Sequence, residues 1–282
     1  MKHARLLLLI LPLVIWFGTV PALAGVVSVS NYPLALLSHE VTKGKHDAQL
    51  LLEGGDAGHH GTLSPSKIRL IEDSDYVVWF GQSLEQNLSK NLQTAPNAIS
   101  LLAFDAFYRL PLRDIDGLPQ EGKDVHLWLN PDNAKAIVRA LAVVHGYANP
   151  EYRHYYQENA RAFEQKMDQA VQSLATTRTA NYWAYHDAYQ YIEQAAGLKF
   201  VAALTADHHL SPTVHQLKKL SETISPTTKC LIAQQPVSQG MQSKLGKPRI
   251  VVVQEDMSDT AADFVQAWQN MVMSMQHCAG LR

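Results

Sequence analysis

Short apolar blocks bounded by turn-forming residues run through the first third of the chain. Val26 to Ser30 is one, ended by Asn31-Tyr32-Pro33; Ala48 to Leu52, Tyr76 to Phe80 and Ile99 to Ala103 follow. Blocks of this length predict buried strands. Leu34 to Val41 predicts a helix, and Ser64-Pro65 opens another through Ile71 as an N-cap followed by proline. Strands alternating with helices predict a parallel α/β sheet. Further on, Val125, Leu127 and Leu129 alternate with His126 and Trp128, which predicts a strand stopped by the N-cap pair Asn130-Pro131. His126 would then stand near the carboxyl end of a strand, the rim where α/β sheets bind ligands.

From Pro150 to about Ala175 the period changes. Tyr152, Tyr156, Ala160, Phe163, Met167, Ala170 and Leu174 recur at steps of three and four, which predicts one long amphipathic helix. About 25 residues at 1.5 Å each give ~38 Å, enough to run past a whole lobe. After it the α/β rhythm returns. Strands are expected at Asn181 to Tyr185, Phe200 to Ala203, Lys229 to Ala233 and Arg249 to Val253, with helices at Asp187 to Ala196, Thr213 to Thr223 and Thr260 to Met275. The fold class expected is α/β with two lobes, each a mainly parallel sheet flanked by helices, joined by one long backbone helix. Boundaries are placed at 25–149 for the first lobe, 150–177 for the linking helix and 178–282 for the second lobe.

The first residues are expected to be an address. Lys2 and Arg5 precede an apolar run from Leu6 to Val20, and Ala22-Leu23-Ala24 has the small residues of a cleavage signal. The run of 15 residues is shorter than the ~20 that span a bilayer. Residues 1–24 therefore read as a signal peptide cleaved after Ala24, with no cysteine at that point to carry a lipid. Removing Lys2 and Arg5 from 24 Lys+Arg leaves 22 against 26 Asp+Glu, a net charge of −4 that argues against nucleic acid as a partner. Cys230 and Cys278 are the two cysteines. In an exported chain an even pair reads most simply as one disulfide, with two buried thiols as the alternative.

Thirteen histidines are too many to act as one signal. Three occupy positions from which a site could be built: His59 after the loop Glu53-Gly54-Gly55-Asp56-Ala57-Gly58, His126, and His186 at the end of Tyr182-Trp183-Ala184-Tyr185. Neutral imidazole is the commonest metal ligand, and three imidazoles with a fourth position suit zinc. For that fourth position Asp256 is the first candidate, following the strand Val251-Val252-Val253. Glu255, His60 and water are the others. His208 and His209 stand in a polar stretch as a possible accessory contact. Because imidazoles must shed protons to bind, affinity is expected to fall below roughly pH 6.5. A His₃ zinc site could also activate water as a hydrolase does, but no His-Glu-x-x-His or Gly-x-Ser-x-Gly motif occurs. The chain is accordingly not expected to be an enzyme.

At these residues the chain resembles the metal-binding solute-binding proteins of ABC importers, in particular the zinc-binding ZnuA-like group. The resemblance rests on Gly58-His59-His60 before Leu63-Ser64-Pro65-Ser66, on Asp75-Tyr76-Val77-Val78-Trp79-Phe80-Gly81, on the run from His126 to Pro131, and on His186-Asp187-Ala188-Tyr189. It covers about Val26 to Cys278. It implies two α/β lobes joined by a rigid helix, a monomer in the periplasm, and capture of Zn²⁺ for delivery to an ABC-type permease and ATPase complex. It also implies His59, His126 and His186 as ligands and a Cys230–Cys278 disulfide. Manganese-binding relatives place a glutamate at the His186 position, so the carry-over points to zinc. A manganese- or iron-binding member, or a zinc-dependent adhesin, is the alternative. Three departures stand out. Asp105 to Val125 contains no histidine where relatives often have a histidine-rich loop, Asp256-Met257-Ser258-Asp259 replaces an Asp-Pro-Leu-Gly turn, and Gln234 stands where the family has a glutamate.

Overall fold

The computed structural model describes residues 24–55, 62–115, 121–205, 211–226, 228–258 and 263–282. The first half supplies β1 (Val27–Val29), α1 (Tyr32–Thr42), β2 (Gln49–Leu50), α2 (Pro65–Asp73), β3 (Tyr76–Trp79), α3 (Ser89–Leu92), β4 (Ala98–Ser100) and α4 (Pro131–Ala148). The long helix α5 (Arg153–Leu174) comes next. The second half supplies β5 (Ala180–His186), α6 (Glu193–Ala196), β6 (Leu198–Thr205), α7 (Val214–Glu222), β7 (Thr228–Ala233), α8 (Gln239–Lys244), β8 (Arg249–Val252) and α9 (Phe264–Ala279). Two four-stranded sheets result, in the orders β2-β1-β3-β4 and β6-β5-β7-β8. Every pairing within them is parallel. The two α/β lobes and the long helix between them in sequence are thus present.

Strand periodicity explains how each sheet is covered on both faces. In the first sheet Val78 and Phe80 enter the central core, while Val77 and Trp79 face a second cluster with Leu52, Ile71 and Leu88. In the second sheet Tyr182 and Ala184 face the central core, and Trp183 and Tyr185 pack with Leu204, Leu220 and Leu231. The central core runs without interruption from Val29 to Leu281 and so belongs to both halves. The stripe of α5 lies in it: Tyr156, Ala160, Phe163, Met167, Ala170 and Leu174 are all buried. Helix α9 completes it from the other end of the chain, setting Phe264 edge-on to Phe163 at 5.9 Å and donating from Trp268 Nε1 to the Leu129 carbonyl at 3.0 Å.

Cys230 on β7 and Cys278 on α9 form a disulfide across 48 residues. By loop-closure entropy such a link contributes ~4 kcal/mol. Among the described residues no helix is long and apolar enough to cross a membrane.

Several expected elements differ, among them the strand Ile99 to Ala103, which is β4 to Ser100 and then a 3₁₀ turn, Leu101–Ala103. The stretch Leu127–Leu129 is a 3₁₀ turn, not a strand. Its three side chains are all fully buried in the core, and the Leu127, Leu129 and Asn130 amides turn back on the Val125, His126 and Leu127 carbonyls instead of pairing with a sheet. Alternation with His126 and Trp128 mimicked a strand because all five positions are wanted inside, on different sides. The single helix expected over Asp187 to Ala196 is a 3₁₀ turn, Gln190–Ile192, followed by the short α6. The last helix begins at Phe264, where Asp263 accepts from the Gln266 amide as its N-cap.

Candidate metal centre

His186 is the last residue of β5, an inner strand of the second sheet, and the residue is 4% exposed. The carboxyl end of a parallel strand is where the chain can turn a side chain toward a ligand. His126 reaches the same place from the first half. It precedes the 3₁₀ turn, and Asp124 fixes it twice: Asp124 Oδ1 accepts from the His126 amide at 3.0 Å and lies 2.7 Å from His126 Nδ1. With Nδ1 taken by that carboxylate, Nε2 is the ring atom that faces Glu255. A carboxylate behind a ligating imidazole fixes its orientation and raises its basicity. The two imidazole rings meet edge-on with centroids 5.5 Å apart.

The third member is Glu255. After Val253 donates to the Ala233 carbonyl, the chain leaves the sheet and turns at Met257, whose φ of 60° lies in the left-handed region. This turn sends successive carboxylates to different places. Glu255 Oε1 lies 3.6 Å from His126 Nε2, and Glu255 Oε2 lies 3.7 Å from His186 Nε2. The three side chains are buried and each offers one donor atom within 4.8 Å of the others. Those separations are longer than a hydrogen bond of about 3 Å. They approach the ~3.3 Å that separates two donors bound at ~2.05 Å to one tetrahedral zinc. Burial pulls the His126 pKa down, but Asp124 and then Glu255 more than reverse it and push it up to about 10. The site thus carries concentrated negative charge suited to a cation.

Asp256, the first candidate for the fourth position, serves a different purpose. Its Oδ2 accepts from the Gly55 amide at 2.7 Å, and its Oδ1 accepts from the Ser258 amide and hydroxyl at 3.0 and 2.7 Å. The carboxylate facing the imidazoles is Glu255. Gly55, at φ 93°, and Gly54 explain the glycines of that loop: a Cβ on Gly54 would stand 2.9 Å from Ser258 Cβ. Asp256 therefore ties the loop that leads toward His59 to the turn that carries Glu255. His59 and His60 lie outside the described residues, as do His208 and His209.

Several supporting groups carry a weaker sequence signal or none. Gln234 Nε2 donates to Glu255 Oε2 at 3.3 Å and to the Tyr189 hydroxyl at 2.9 Å, and that hydroxyl donates to the Val253 carbonyl at 3.1 Å. The Trp128 indole N–H donates to the Glu255 carbonyl at 2.8 Å. Tyr191 accepts from the Leu110 amide at 3.0 Å and donates to the Asp124 carbonyl at 2.9 Å. Gln234 stands at a position where the family has a glutamate, and Asp124, two residues before His126, has a spacing that could have suggested its role.

The chain is 25% identical over 244 residues to the high-affinity zinc uptake system protein ZnuA of Brucella abortus (strain 2308), covering 71% of this chain and 73% of that one. It is 24% identical over 276 residues to the protein of the same name from Haemophilus ducreyi, covering 82% and 86%. Its fold is similar to the laminin-binding protein Lmb of Streptococcus agalactiae, described as bifunctional with adhesin and metal-transporting activity, at a TM-score of 0.73 and 18% identity over 90% of this chain and 99% of that one. The family model for ZnuA, the periplasmic component A of the zinc-uptake complex, matches residues 27–278, and the chain belongs to that family.

Proposed function

We propose that His126 Nε2, His186 Nε2 and the Glu255 carboxylate take up one Zn²⁺ and that His59 supplies the fourth donor, the ion then passing to an ABC-type permease at the inner membrane. The observation that carries this reading is the convergence of the three buried donors from three distant parts of the chain. His59 is taken over His60 or water on the family resemblance, and Asp256 holds Gly55, four residues upstream, beside the turn that carries Glu255. Three imidazoles with one carboxylate form a nitrogen-rich set, which suits zinc better than manganese. The family is one of solute-binding proteins, not enzymes, which removes the hydrolase alternative. Cleavage after Ala24 without lipid attachment, the boundaries at 149 and 177, and action as a monomer complete the proposal.

Native mass spectrometry with elemental analysis of the purified protein tests it. One equivalent of zinc, removed by chelation and restored on addition, is the expected result. A protein that retains no zinc in either condition overturns the ligand set. Substituting His59→Ala separates the fourth donor from the rest: zinc should still bind but more weakly, and equal affinity would remove His59 from the site.

A further inference from the structure

Leu110, Arg113 and Asp124 belong to the first half in sequence yet bond to Tyr191, Asp187 and Glu193 of the second. The two arms that carry them, 110–115 and 121–124, are held together by hydrogen bonds from the Asp124 amide to the Leu110 carbonyl at 2.9 Å and from the Leu112 amide to the Gly122 carbonyl at 3.2 Å. One arm ends at Asp124, which orients His126. From the other arm Arg113 reaches across. Its Nε donates to Asp187 Oδ2 at 2.9 Å, its Nη2 to Asp187 Oδ1 and its Nη1 to Glu193 Oε1. The guanidinium also lies over the Phe200 ring, 3.7 Å from the centroid. Tyr182 donates to the same Glu193 oxygen at 2.7 Å. Asp187 directly follows His186.

One arm pair therefore holds both imidazoles: through Asp124 at one end and through the residue next to His186 in the middle. The contact has the features of a specific clamp rather than a surface ion pair. It is a two-pronged guanidinium–carboxylate pair, mostly buried, with a second carboxylate and an aromatic face completing the cation's surroundings. Lysine, a point charge without the planar fork, could not make it.

We propose that Arg113 is a positioning residue of the metal centre, whose fork on Asp187 holds the His186 strand end at a fixed distance from the Asp124–His126 segment and thereby slows escape of the bound cation. The inference rests on the ligand reading above. Arg113 touches none of the three donors, so its effect is on their spacing.

The test uses the full mature chain carrying Arg113→Ala, Arg113→Lys, Asp187→Asn, and the first and third combined. Zinc dissociation into a chromophoric chelator should quicken about tenfold in Arg113→Ala, the lower end of what outer partners of metal ligands contribute. Arg113→Lys should not restore the parent rate, and the double variant should dissociate no faster than Arg113→Ala alone. Co²⁺ bound in place of zinc reports the arrangement directly: its visible bands should shift in Arg113→Ala. A dissociation rate within about twofold of the parent with unchanged cobalt bands overturns the proposal, as do additive effects in the double variant. Should Arg113→Ala fail to fold, the near-isosteric Asp187→Asn decides by the same readouts. A parent that binds no zinc sinks the ligand set instead. In that event hydrogen exchange of the metal-free protein decides on Arg113: faster exchange at the Leu110 and Asp124 amides of Arg113→Ala supports the clamp, and unchanged exchange overturns it.

Discussion

Two buried histidines in this chain sit in opposite electrostatic surroundings. His145, on α4, is fully enclosed between α1 and α5, with Ser38 Oγ 2.7 Å from its Nε2 and the Tyr156 ring edge-on at 5.6 Å. Burial dominates there, and the pKa falls to about 4. His126 is equally buried, but carboxylates stand at both of its nitrogens and its pKa rises to about 10. Burial alone therefore does not make a functional histidine. Burial keeps the His145 imidazole neutral, whereas at His126 two carboxylates favour the charged ring and outweigh burial.

The largest effect should come from removing the charged site itself. His126→Ala combined with His186→Ala should take zinc content from one equivalent to none, measured by elemental analysis, while His145→Gln leaves it at one. Retention of zinc by the double variant would erase the distinction between the two histidines.

The next effect concerns acid stability. The His145 pKa is lowered in the fold from the usual 6.5, so the unfolded chain takes up the proton first. Its contribution is fully present above about pH 6.5 and is lost as the pH falls toward 4, by about 3 kcal/mol. Urea unfolding of the metal-free protein across that window should show this loss, reduced in His145→Gln; equal slopes would contradict it. For His126 the sign reverses, because its folded pKa is raised. Its contribution is present below about 6.5 and is lost as the pH climbs through about 10.

A smaller effect is expected from Asp124→Asn, which keeps the shape but not the charge behind His126. Zinc affinity should drop about 10- to 100-fold in a chelator competition. An unchanged affinity would mean that the 2.7 Å contact only holds the turn. The smallest is Ser38→Ala, the equivalent change at His145. It should lower stability by about 1 kcal/mol and leave zinc affinity untouched.

The fold was legible where one physical requirement dominated the pattern. The α5 stripe shows because one face of a long helix must be apolar, and β5 shows because its residues face two cores in turn. Around His126 the requirement was mixed. Burial on several sides of a tight turn produced the same alternation as a strand, and backbone hydrogen bonds to neighbouring carbonyls decided for the turn. The choice between Glu255 and Asp256 was beyond reading, since adjacent carboxylates look alike until the left-handed turn at Met257 sends one to the imidazoles and the other to Gly55 and Ser258. Arg113 carried no signal because its partners Asp187 and Glu193 lie 74 and 80 residues further on.

The bond from the Trp268 indole to the Leu129 carbonyl has a consequence for the order in which the molecule can be completed. Leu129 lies in the turn that follows His126, yet its cap is delivered by a residue near the far terminus. As the polypeptide is made from its amino end, the Leu129 carbonyl lacks this donor until α9 arrives, and the same helix brings Cys278 to Cys230. The cap on this turn and the oxidation of the late half therefore both wait on α9.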